Sequence, residues 1–239
     1  MSRRSRGGVR GAIRSSTVVE VLARPQRCLA RLREVSPWVG ALLAVTISAA
    51  AVGGLSSPFS EKGIRLAMEE RFAEADAAVM VEGATAPWLA VAGEVVVAPL
   101  RIVVQALFVW GLMLSFGGRG TFRQTLSVTV HLNVVSQLHA WAGFVWLTLR
   151  GVEAIESVAD AAPTLGLNMV TKSDGPWLDA VLGGINPFSV WFAALLGAAA
   201  VIVFGIRRSS GVAVGTAYWL ITVALAAAGR TLATRLLEV

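Results

Sequence analysis

Apolar residues in this chain fall into long uncharged runs, without the alternation of half-buried strands or the narrow stripes of soluble helices. The clearest stretch covers 186–229: N-P-F-S-V-W-F-A-A-L-L-G-A-A-A-V-I-V-F-G-I, a turn at Arg207-Arg208, then G-V-A-V-G-T-A-Y-W-L-I-T-V-A-L-A-A-A-G. Two runs of about 20 residues match the hydrocarbon thickness of a bilayer, so the pattern predicts a transmembrane hairpin. Asn186 with Pro187 behind it is a strong helix start, because the side chain can cap the first turn and proline has no amide proton to waste there. Comparable runs bring the expected spans to five, over 38–58, 97–116, 124–149, 186–206 and 212–229. The fold class expected is an all-α membrane protein, a five-span helix bundle.

The remaining segments are amphipathic or polar. Residues 1–16, rich in Arg, Gly and Ser, read as a disordered basic tail. Over 17–37, Val18, Val21, Leu22, Cys28, Leu29, Leu32 and Val35 recur at helical spacing, while Arg24, Arg27, Arg31 and Arg33 point elsewhere. This predicts a cytoplasmic amphipathic helix, starting afresh at Pro25, with a lipid-facing basic arm. Residues 38–239 form the membrane domain. Within it, 60–83 reads as a short amphipathic helix outside the cytoplasm, and Glu69, Glu70 and Glu74 as its solvated face.

Composition agrees with several spans joined by short loops: 55 % of residues are apolar, 15 % are charged, and the mean hydropathy is +0.67. The net charge of +6 is read as topology, with no nucleic-acid partner, because the basic residues flank hydrophobic runs. Thirteen of the 21 Lys and Arg fall in the tail and arm, the turn with Arg119 and Arg123, and the turn with Arg207 and Arg208; only Glu20 and Glu34 accompany them. The two intervening loops hold five bases against eleven acids. The rule that basic loops stay inside then puts the N-terminus in the cytoplasm and the C-terminus outside a cell inner membrane.

Candidate chemistry is sparse. The third span carries Thr125, Ser127, Thr129, His131, Asn133, Ser136, Gln137 and His139, and the second carries Arg101 and Gln105. Arg101, Gln105, His131, Asn133, Gln137 and His139 are the candidate intramembrane polar cluster. Such residues usually face protein or water and hydrogen-bond between helices; a transport path is the other use. His131 and His139 lie eight apart, about 12 Å along a helix, so they cannot share one metal ion without further ligands. No metal and no cofactor is expected, and Cys28 alone offers no disulfide or thiolate cluster. No G-x-S-x-G, H-E-x-x-H or intramembrane aspartate pair is present, so no catalytic residue is expected. Ala193-x-x-x-Gly197 and Gly211-x-x-x-Gly215 suit close helix packing.

The N-P-F-x-x-W opening, Gly197 midway, the basic turn and Tyr218-Trp219 resemble the last two spans of the Yip-type (Ypt/Rab-interacting protein) domain family. The likeness extends over about residues 20–230, through V-L-A-R-P in the arm, Pro37-Trp38 at the first span, and the Gly117–Arg123 turn followed by T-L-S-V-T-V. The resemblance implies a multi-span bundle that contacts membrane lipid and a membrane-protein partner or a second copy of itself. Eukaryotic members engage Rab-type GTPases and shape Golgi and ER membranes. Their D-L-Y-G-P motif is missing here, as are the Tyr and Pro often met in the third span. The Arg-rich, Lys-poor composition points to the bacterial branch. The function expected is non-catalytic: organising membrane or scaffolding partners, with a transporter or permease component as the alternative.

Overall fold

The computed structural model describes residues 16–69, 86–171 and 175–237, with side chains over 20–69, 86–171 and 175–232. Residues 1–15 of the expected tail, the acidic stretch 70–85 with Glu70 and Glu74, and residues 172–174 lie outside the described residues, and Val18 is described by its backbone alone. Eight α-helices make up the rest: α1 Ser16–Ala23, α2 Pro25–Glu34, α3 Val39–Glu69, α4 Pro87–Ser115, α5 Phe122–Arg150, α6 Pro176–Gly184, α7 Pro187–Ile202 and α8 Arg208–Leu237. Two 3₁₀ turns, Val152–Ala154 and Leu167–Met169, sit in the loop between α5 and α6. No strand occurs among the described residues.

Three helices, α3, α4 and α8, are long and apolar enough to cross a membrane, and α6 with α7 qualifies as a fourth if the pair, bent by 57°, is one span. Their outward faces are oily: Val39, Leu43, Ile47 and Leu55 on α3, Val96, Leu100, Val104 and Leu107 on α4, and Val212, Leu220 and Leu225 on α8 are all exposed. An exposed apolar surface this continuous is one that lipid covers. α5 is the exception and the axis of the bundle. It packs against α1, α2, α3, α4 and α7, and every residue from Thr125 to Asn133 is buried. Enclosure on all sides lets this helix carry hydroxyls, amides and imidazoles that the lipid-facing helices avoid.

The ends of the elements follow from local chemistry. α4 stops in a Schellman motif: Gly117 adopts φ +78°, its amide bonds to Leu114 O at 3.0 Å, and the Gly118 amide reaches Met113 O at 2.9 Å. α5 starts in a capping box, with Thr121 Oγ1 accepting from the Gln124 amide at 3.3 Å and Gln124 Oε1 accepting from the Thr121 amide at 3.0 Å. Asn186 does the same for α7, accepting from the Ser189 amide at 2.8 Å.

Several boundaries depart from the expected ones. The first span continues past residue 58 to Glu69, so residues 60–69 of the expected outer amphipathic helix belong to α3, and the rest of that helix lies outside the described residues. Pro58 is tolerated because Ser57 Oγ donates to Gly54 O at 2.8 Å, the carbonyl that the missing proline amide leaves without a partner. The extension packs on protein: Phe59 is buried with Leu147 and Ile155. The N-terminal helix breaks at Arg24 into α1 and α2, and its apolar side meets the bundle where lipid was expected. Val21, Cys28, Leu29 and Leu32 are buried in the main core with residues of α4, α5, α7 and α8, whereas Val35 is exposed. α7 ends at Ile202, short of 206, and α8 runs from Arg208 to Leu237, past both expected limits.

Candidate functional site

A polar seam joins α4, α5 and α8 in the interior. Asn133 uses both amide protons, donating to Gln105 Oε1 at 2.8 Å and to Thr129 O at 2.9 Å. Gln105 Nε2 in turn donates to Tyr218 Oη at 2.6 Å. The Tyr218 ring stacks on Phe192 of α7, with centroids 5.2 Å apart, and tilts against Phe108 at 5.9 Å. One hydrogen-bonded chain and one aromatic stack thus tie four helices together.

Beside the seam lies a cavity of about 170 Å³ reached by Gln105, Ser136, His139, Ser189, Tyr218 and Thr222. At a liquid-water share of about 30 Å³ each, it has space for a few waters and is smaller than ordinary ligand pockets of about 300 Å³ or more. His139 Nε2 donates to Thr164 O at 2.9 Å, and its ring lies 5.3 Å from that of Phe188. From Thr164 a line of bonds runs outward: Thr164 Oγ1 to Asn168 Oδ1 at 2.5 Å, Asn168 Nδ2 to Asp179 Oδ1 at 3.1 Å, and Arg230 to Asp179 Oδ2 at 2.8 Å. The loop after α5 is thereby fastened to α6 and α8.

The expected cluster is therefore divided. Gln105 and Asn133 meet, and His139 borders the same cavity. His131 turns back on its own helix, Nδ1 to Ser127 O at 2.7 Å; since a carbonyl only accepts, Nδ1 carries the proton. Gln137 is buried, and its Oε1 has no hydrogen-bond partner among the described residues. Arg101 stands apart: its exposed guanidinium pairs with Glu94 of the same helix at 3.6 Å. Seven-residue spacing put both on one face of α4, and that face looks away from the seam. Tyr218, Ser189 and Thr222 went unnoticed as site residues. The signal was there in Tyr218, the only tyrosine of the chain, whose hydroxyl needs a partner wherever hydrocarbon surrounds it. Among the described residues no group of three His, Cys, Asp or Glu is placed to hold a metal ion.

Where α7 crosses α8, the small residues leave backbone against backbone. A Cβ on Gly197 would lie 2.8 Å from Gly211 O, and one on Gly211 would lie 2.9 Å from Gly197 O. A Cβ on Gly215 would come closer still to the carbonyl of Ala193.

The basic arm also divides. Arg31 pairs with Glu20 at 3.0 Å. Arg24 and Arg27 flank a shallow hollow, while Arg33 joins Arg119 and Arg207 around a cavity of about 580 Å³ at the end of the bundle. Cys28 lies beneath this arm; burial, with the Glu20 carboxylate adding to it against Arg31, pushes its thiol up to about 11.

The family model described as Yip1 domain matches residues 19–229. The chain belongs to the Yip1 domain family. That match begins in α1 and ends within α8, so the seam and the basic cavity both lie inside the Yip1 domain. Comparison with curated proteins and with solved structures gave no match.

Proposed function

We propose that this Yip1 domain protein is a non-catalytic, five-span inner-membrane protein that organises lipid or holds partner membrane proteins. α5 counts as the fifth span: its 29 residues cover about 43 Å, and the polar residues that make it less oily than the other spans are buried against other helices. The observation that carries the reading is the mutual pairing of Asn133, Gln105 and Tyr218, which uses the interior polar groups as cross-links between helices. The convergence of Arg33, Arg119 and Arg207 at one end supports a cytoplasmic N-terminus, with the C-terminus outside and the acidic loops on the far side.

Crosslinking in cells, followed by purification in mild detergent and mass spectrometry, tests the role. One stoichiometric membrane-protein partner, or a second copy of the chain, is expected; a reproducible small solute with no protein partner overturns it. Reporter cysteines at Ser173 and Ser209, in a Cys28→Ser chain, test the topology. An impermeant thiol reagent on intact cells is expected to label the first and spare the second.

A second reading, a transporter component, draws on the cavity beside Gln105 and His139 and on the unpartnered Oε1 of Gln137. Under that reading, replacing His131 and Asn133 by apolar residues abolishes solute flux at unchanged protein level. Under the first, the same changes lower yield and thermal stability.

A further inference from the structure

We propose that the arginine-lined cavity at the end of the bundle is a phosphate-binding site whose ligand is the headgroup of an anionic membrane lipid. This deepens the lipid-organising reading above and rests on it. Three segments remote in sequence deliver the cations: Arg33 from the end of α2, Arg119 from the α4–α5 turn and Arg207 from the α7–α8 turn. Topology requires basic residues on one side of the membrane, but it does not require them to converge on one hollow. The hollow measures about 580 Å³, within the range of small-molecule sites.

Its charge is left open. Arg31, Arg65, Arg101, Arg150 and Arg230 each have a carboxylate within 4.0 Å, whereas Arg33, Arg119 and Arg207 form no ion pair among the described residues. Of the two acids on the basic segments, Glu20 is taken by Arg31. The first turns of α5 and α8 add to the field, since Gln124 and Ser210 also line the cavity. Helix amino ends carry a partial positive charge.

The frame holding these arginines is tied together. The Arg119 amide bonds to Phe204 O at 3.1 Å, and Gln124 Nε2 donates to Arg33 O at 3.4 Å. Gly120 abuts the Phe204 ring so closely that no side chain would fit between them. Guanidiniums on a fixed frame can offer paired donors to phosphate oxygens at a smaller cost in ordering. Phe116, Val203, Phe204 and Ile206 line the same cavity, at the level where α4 and α7 end. Cations beside an apolar wall suit a headgroup whose acyl chains continue into the bilayer.

The test uses the full chain in a neutral detergent, titrated with phosphatidic acid, phosphatidylglycerol or phosphatidylcholine, with retained lipid read by native mass spectrometry. Inorganic phosphate and glycerol 3-phosphate serve as competitors. The wild type is expected to retain an anionic lipid in preference to phosphatidylcholine. Arg119→Gln with Arg207→Gln should weaken retention about tenfold or more, as loss of charge-assisted bonds implies. Arg123→Gln with Arg208→Gln removes the same charge from the same end but spares the cavity, and should stay within about twofold of wild type. Circular dichroism and monodisperse elution check that each variant folds, and Arg33→Gln alone serves if the double variant does not.

Equal losses in both double variants, or no preference over phosphatidylcholine with no binding of either soluble phosphate, overturn the proposal. Soluble phosphate that binds with the same arginine dependence, in the absence of any lipid preference, overturns the lipid source and keeps the phosphate site. Failure of the titrations with lipid and with both soluble phosphates, alongside a recovered protein partner, refutes this site while leaving the scaffold reading in place.

Discussion

Gly197→Ala is the most direct probe of the α7–α8 crossing. The added methyl would sit 2.8 Å from Gly211 O and 3.4 Å from Gly211 C. It falls about 0.6 Å short of the roughly 3.4 Å at which ordinary contact with oxygen begins. The obstructing atom is backbone in the first turn of α8 and cannot rotate away. Sliding the helices is blocked as well, because Gly215 already abuts the carbonyl of Ala193 one turn along. The helices must separate, and overpacking of this kind costs about 1–3 kcal/mol. Gly229→Ala supplies the control: same substitution, helix α8, exposed, and nothing among the described residues within 4 Å of the new methyl. There the change favours the helix by up to about 1 kcal/mol. For a chain of this size each kcal/mol moves the midpoint by about 2–4 °C. Thermal unfolding in one detergent should therefore place the two variants on opposite sides of wild type, separated by roughly 2–16 °C. Equal shifts, or a neutral Gly197→Ala, would show that the close crossing does not hold the bundle together.

Other residues give tests of the same kind. Tyr218→Phe and Gln105→Leu should each destabilise, and their double-mutant cycle should return a coupling of about 0.6–1.7 kcal/mol, the range for hydrogen bonds between membrane helices; additivity would deny the bond. Ser57→Ala should cost about 1 kcal/mol in the wild-type chain and much less alongside Pro58→Ala, where Gly54 O regains a backbone donor. With its thiol raised from 9.0 to about 11, Cys28 has a thiolate fraction near pH 7.5 roughly a hundredfold below that of an unshifted thiol and, as the more basic thiolate recovers up to about tenfold, should react with iodoacetamide at least about tenfold more slowly. The sign for folding follows: the folded chain holds its proton more tightly, so this stabilisation is whole below pH 9 and lost between 9 and about 11. Denaturant midpoints of wild type and Cys28→Ala, compared across that interval, check it.

The legible parts of the chain were those fixed by local chemistry. Asn186-Pro187 marks the start of α7 because capping and proline geometry involve neighbours only, and the Gly117-Gly118 turn follows from backbone freedom in the same way. The polar residues of α5 announced an enclosed helix, since hydrocarbon tolerates them poorly. Less legible was whatever depended on a distant partner. Pro58 looked like an end to the first span, and only the Ser57 hydroxyl makes continuation possible. The apolar side of α1 and α2 fits lipid or protein equally well in sequence, and the packing of Leu29 and Leu32 under the bundle decided it. Arg101 shared a face with Gln105 only approximately, because four residues on a helix leave about 40° between side chains. That angle suffices to send one toward lipid and the other toward Tyr218.

α5 also bears on how the chain enters a bilayer. Its hydroxyls, amides and imidazoles are affordable beside other helices and costly beside acyl chains. On the five-span topology proposed above, such a segment partitions into lipid together with α4 as a hairpin joined by the short glycine turn, which shields part of its polar side. A nascent chain stalled before α7 emerges then exposes the polar side of that hairpin, which makes this interval the one where membrane chaperones and quality-control proteases have their opportunity.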